Sequence, residues 1–115
     1  MFFTRRRWAL RVIEKMGLSS TDQIASEIVS MIIQGSKQFN EMFRQAGSDL
    51  SKQEQILMSA AALKDNYSAI DRLTNDFNIS DEEALKLFDE AKEAAHELAT
   101  ENEFTSLLES SWFKK

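Results

Sequence analysis

Across 115 residues the chain has no proline and only three glycines, and this constrains its fold more than any motif does. Proline breaks helices by lacking an amide proton and colliding with the preceding turn, and glycine weakens them by its backbone freedom. A chain nearly free of both has little to interrupt long helices. Three sequence signatures then mark where helices begin. Ser20 with Gln23, Ser51 with Glu54 and Ser80 with Glu83 all have the spacing of a capping box, in which a hydroxyl and a side-chain carbonyl or carboxylate satisfy amides of the first turn.

Apolar spacing predicts the helix that each box opens. From Ile24, a seam of Ile28, Met31, Ile32, Gly35, Phe39, Met42, Phe43 and Ala46 recurs at helical intervals and stops before Gly47. Ala25, Val29 and Ile33 widen its first half to roughly half the circumference, so this half is expected to face two partners and to form the centre of the fold. Ile56, Leu63, Ile70 and Phe77 repeat every seven residues, with Ala60, Tyr67 and Thr74 between them, predicting one helix over 51–77. The short turn at Gly47, Ser48 and Asp49 would make the two helices antiparallel. A third helix, about 80–100, carries Ala84, Leu87, Phe88, Ala91, Ala94, Ala95, Leu98 and Ala99 on one face. Its many alanines predict a closely approaching neighbour.

Two shorter segments flank these. Residues 5–16 project as an amphipathic helix, with Trp8, Val12, Ile13 and Met16 on one side and Arg7, Arg11 and Lys15 at four-residue spacing on the other. Gly17 suits its C-terminal cap. Phe104, Leu107, Leu108 and Trp112 predict a short docking helix at the other end. The expected architecture is therefore all-α: a single domain over 1–115, an antiparallel bundle of three long helices (about 20–46, 51–77 and 80–100) plus short N- and C-terminal helices. The basic helix of residues 1–17 would pack on the bundle or project from it. The wide stripe of 24–33, and the many aromatics near the two termini, argue for a homodimer that completes the core.

Charge is distributed unevenly. The net charge is −5, yet residues 1–16 hold Arg5, Arg6, Arg7, Arg11 and Lys15 against Glu14 alone. From residue 80 onward acids dominate, with Glu90, Glu93, Glu97 and Glu101 opposite the alanine face. An acidic chain is a poor general binder of nucleic acid, whose affinity rests on neutralising phosphates, so none is expected as a partner. No apolar run approaches the roughly 20 residues that span a bilayer. With no cysteine, disulfides, thiol catalysis and cysteine-bound metals are excluded, and a cytoplasmic location is expected.

Chemistry-bearing motifs are weak. Glu93 and His96 have the Glu-x-x-His spacing of di-iron bundles, but they project to the polar side and the chain has one histidine. Asp76, Asn78 and Ser80 imitate the start of a calcium loop that then fails, with Asp81 where glycine is needed and Leu87 where glutamate is needed. No glycine-rich phosphate loop or nucleophile elbow occurs. Neither catalysis nor a cofactor or metal is expected.

The expected function is a non-enzymatic helical protein–protein interaction module: a small regulator, an adaptor, or an inhibitor or immunity-type protein. Its candidate partner-binding residues are Arg7, Trp8 and Arg11, the acids Glu90, Glu93 and Glu97, and the aromatic pair Trp112 and Phe113. Two alternatives stand beside it. Residues 1–16, basic and flanked by Phe2 and Phe3, could lie on an anionic membrane surface or act as an organellar targeting segment. The bundle could also hold a ligand or a metal.

Overall fold

The structure, a computed structural model, describes residues 4–47, 50–111 and 113. Among these the chain is all-α, with α1 (Arg5–Lys15), α2 (Gln23–Ala46), α3 (Lys52–Ala62), a 3-10 turn (Leu63–Asp65), α4 (Tyr67–Phe77), α5 (Asp81–Glu101) and the single turn α6 (Thr105–Leu108). One continuous core runs from Ala9 of α1 to Phe113. What the sequence suggested for Phe2, Phe3, Ser48, Asp49, Trp112, Lys114 and Lys115 lies outside the described residues.

The centre of the fold is α3 rather than the first half of α2. Seven consecutive residues of α3, Gln55 through Ala61, are buried, which a helix achieves only when neighbours surround it. Those neighbours are α1, α2 and α5. The wide stripe of α2 is correspondingly filled: Ala25, Ile28, Val29, Met31 and Ile32 are buried within one chain. That stripe is not available to a second copy, because α1 and α3 already cover it.

Small residues set the spacing. Ser59 donates its hydroxyl to the carbonyl of Ile32 at 2.8 Å, and a Cβ placed on Gly35 would come within 2.3 Å of that hydroxyl. Glycine is required there because α2 and α3 approach so closely. On the other side of the core Ala84, Ala91, Ala95 and Ala99 of α5 are fully buried, consistent with the close approach their number implied.

The helix expected over 51–77 is two helices. The seven-residue repeat did mark buried positions, since Ile56, Leu63 and Ile70 are all buried. A periodic seam reports which side faces inward, not whether the backbone is continuous. Lys64, Asp65 and Asn66 interrupt it: Asn66 turns extended and its side chain accepts the amide of Ala69 at 3.2 Å, starting α4 afresh. Asparagine and aspartate favour such local bonds over helical ones.

The other boundaries follow from their caps. The Ser51–Glu54 box forms in both directions. At α5 Ser80 accepts the amide of Glu83, and at α2 the expected Ser20–Gln23 box is replaced by Asp22, which accepts from Ile24 and Ala25. An aspartate two residues later outcompetes the serine, because a charged acceptor binds the exposed amides more strongly. Gly17, with φ +81°, closes α1: its amide reaches Glu14 and that of Leu18 reaches Ile13, the two bonds of a Schellman motif. Asn78, the third position of the imitation calcium loop, is the left-handed cap of α4.

Candidate functional site

Two clusters of the expected site residues form, of opposite charge. The first is built on α1. Ala9, Val12 and Ile13 are buried, which fixes the helix in rotation and turns Arg6, Arg7 and Arg11 to solvent. Trp8 is half-buried beside Phe104, with ring centres 6.0 Å apart. The Arg11 guanidinium lies over the Trp8 ring, 4.6 Å from its centre, a cation–π contact that orders both side chains.

The start of α1 reverses the charge found at the starts of α3 and α5. Thr4 caps the helix and accepts the amide of Arg7 at 3.1 Å. Position three of the helix therefore holds an arginine where α3 has Glu54 and α5 has Glu83. Its first turn contains no acid at all, whereas that of α5 is Asp81, Glu82 and Glu83. Helix N-termini carry partial positive charge, so three arginines there oppose helix formation, and Arg7 repels Arg11 one turn on. The ion pairs of the described residues join Lys15 to Glu101, Arg44 to Glu41, Lys64 to Asp89 and Arg72 to Glu27. Arg5, Arg6 and Arg11 take part in none of them.

The second cluster lies along α5. Asp89, Glu93, Glu97 and Glu101 follow one another at four-residue spacing, a like-charge ridge. Lysines from other elements tie its two ends: Lys64 holds Asp89 at 2.8 Å and Lys15 holds Glu101. Each lysine is held above its ordinary range, first by the hydrogen bond to its acid. Glu93 and Glu97, in the middle, have no such partner among the described residues. Glu90 lies off this ridge and is partly covered.

A groove of about 610 Å³ runs beside the ridge, lined by Lys64, Asp89, Lys92, Glu93, His96, Glu97 and Phe113. Phe113 is 5% exposed and tilts against the exposed His96 ring at 5.8 Å. The structure thus brings Glu93, Glu97 and Phe113 together, and separately Arg7, Trp8 and Arg11, while Trp112 falls outside the described residues. Glu93 and His96 share the solvent side of α5, and among the described residues no three metal-binding side chains gather.

One surface escaped the sequence. Where the chain breaks between α3 and α4, a groove of about 470 Å³ opens against α2, bordered by Gly35, Phe39, Asn66 and Tyr67. Tyr67 is 82% exposed and Met42 58% exposed, although the seam placed both inward. The break moves Tyr67 to the exposed start of α4, and in the outer half of α2 Phe39 and Phe43 pack against the core while Met42 faces solvent. Asn66, as a cap residue before an aromatic, was the available signal.

No protein-family model, curated protein or solved structure matches this chain significantly. No helix of the described residues is long and apolar enough to cross a membrane.

Proposed function

We propose that the chain is a non-enzymatic helical interaction module that holds an acidic protein partner on the exposed arginines of α1. The observation that carries this reading is the arginine-bearing first turn, Arg5, Arg6 and Arg7, which works against its own helix. Local choices in a folded chain generally agree with the fold, and departures from that agreement mark positions kept for another purpose. Arginine also suits carboxylate recognition, since its planar fork makes two parallel bonds. Trp8, half-exposed and already ordered by Arg11 and Phe104, supplies the aromatic anchor typical of interface centres.

Membrane docking is the weaker reading. An interfacial helix needs its apolar side for the bilayer, and that side of α1, Ala9, Val12 and Ile13, is committed to the core. The arginines and the half-exposed Trp8 would remain, on a molecule of net charge −5.

Affinity capture with the intact chain tests the proposal against a chain carrying Arg6→Glu and Arg11→Glu. The expected result is a stoichiometric acidic protein retained by the first and absent from the second, and released by salt as screening predicts. Identical proteins on both would overturn the assignment to α1. A second chain carrying Glu90→Lys, Glu93→Lys and Glu97→Lys separates the acidic face from the basic one.

A further inference from the structure

The partner class can be narrowed, on the basis of the arginine surface just described. Arg7, Arg11 and Lys15 form one row at four-residue spacing, and Glu93, Glu97 and Glu101 form another at the same spacing. Four helical residues rise about 6 Å, so the charges of the two rows are in step. The rows meet at the ion pair of Lys15 with Glu101. Trp8, toward the start of α1, lies against Phe104, past the end of α5, so moving outward from the ion pair positive charge continues along α1 in one direction and negative charge back along α5 in the other.

We propose that the acidic partner is a second copy of this chain, with Arg7 and Arg11 of each protomer docked on Glu93 and Glu97 of the other. A strip that is positive on one side of a point and negative on the other becomes its own complement when turned by a two-fold axis through that point. Such an interface is isologous and closes as a dimer rather than growing into a filament. The side chains it uses reach solvent: Arg7, Arg11, Glu93 and Glu97 are all exposed, and Arg11, Glu93 and Glu97 form no ion pair among the described residues. Trp8 and Phe104 border the basic row and give the contact an aromatic component. This dimer differs from one along residues 24–33, which the single chain buries for itself.

Exposed ion pairs are individually weak and sensitive to salt, so the dimer forms and dissociates with concentration. Sedimentation of the full-length chain over a concentration series, at low and high NaCl, tests it. The expected result is a monomer–dimer equilibrium weakened about tenfold or more by high salt. Two charge-reversed chains, one with Arg7→Glu and Arg11→Glu and one with Glu93→Arg and Glu97→Arg, should each be monomeric yet form a heterodimer when mixed. Circular dichroism confirms that both are folded. A wild-type chain that stays monomeric at low salt, or reversals that leave the dimer intact, would overturn the proposal. A helical alanine–glutamate peptide with glutamates four residues apart separates this failure from that of the arginine surface itself. Binding of the peptide to a monomeric wild-type chain, lost with Arg7→Glu and Arg11→Glu, overturns self-association and leaves the surface reading standing. Absence of both dimer and peptide binding overturns both.

Discussion

The first turns of α1 and α5 are two answers to one electrostatic problem. Each begins with a hydroxyl residue, Thr4 or Ser80, accepting the amide three residues on. After Ser80 come Asp81, Glu82 and Glu83; after Thr4 come Arg5, Arg6 and Arg7. The helix dipole and the four unpaired amides favour the former and oppose the latter. Helix formation therefore accounts for the acids at the start of α5, whereas it works against the arginines at the start of α1. The difference separates charge that builds the molecule from charge that the molecule can use on something else.

That contrast holds only if α1 is as much a part of the core as α5 is. Ile13→Ala should cost about 2–5 kcal/mol, within the range for a buried isoleucine, as read by urea denaturation. An effect under about 1 kcal/mol would show that α1 is an appendage, and the charge comparison would lose its footing. Reversal at the other helix is smaller. Asp81→Lys with Glu82→Lys should destabilise by about 1–2 kcal/mol in the same measurement, since each change replaces a favourable charge with an unfavourable one.

A third test concerns backbone strain beside the basic patch. Glu103 adopts φ +57° where α5 ends, its amide bonded to Thr100 and that of Phe104 to Ala99. Glycine adopts this conformation without the penalty of a Cβ, so Glu103→Gly should raise stability by about 1 kcal/mol. Thermal unfolding would register it as a higher midpoint.

The smallest effect sharpens the picture of the ridge on α5. The Lys64 ammonium is raised by its hydrogen bond to Asp89. A group whose pKa is raised on folding contributes fully below its unfolded value and loses that contribution as pH climbs through the folded one. The stability gap between wild type and Lys64→Met should therefore stay constant from about pH 7 to 10 and close only above about 10.5. A gap closing near neutrality would mean that another group governs it.

Much of this was legible in the residues, and the failures have physical reasons. Helix spacing located the buried positions well, because burial on one side is what creates the period: Ile28, Ile32, Ile56, Leu63, Phe88 and Leu98 are all inside. Continuity was less legible, since Ile56, Leu63 and Ile70 keep their spacing across the break at Asn66. The centre was misplaced because width of stripe at 24–33 is easier to read than the small residues Ser59, Ala60 and Ala61, whose burial makes α3 central. Arg7, Trp8 and Arg11 stood out by composition, but only the cap at Thr4 shows that Arg7 occupies a position where glutamate would serve the helix better. That the ends of the acidic ridge, Asp89 and Glu101, are the acids held by lysines could not be read from α5 alone, because Lys64 and Lys15 come from distant parts of the chain.

The most direct test of the central claim is the stability of a chain carrying Arg6→Glu and Arg7→Glu, read by urea denaturation. These changes place acid in the first turn of α1 and give Thr4 a carboxylate partner three residues on, the pairing that Ser51 makes with Glu54. If the arginines oppose their own helix, stability rises by about 1 kcal/mol while partner binding is lost. A loss of stability would contradict the claim, for the arginines would then be serving the fold.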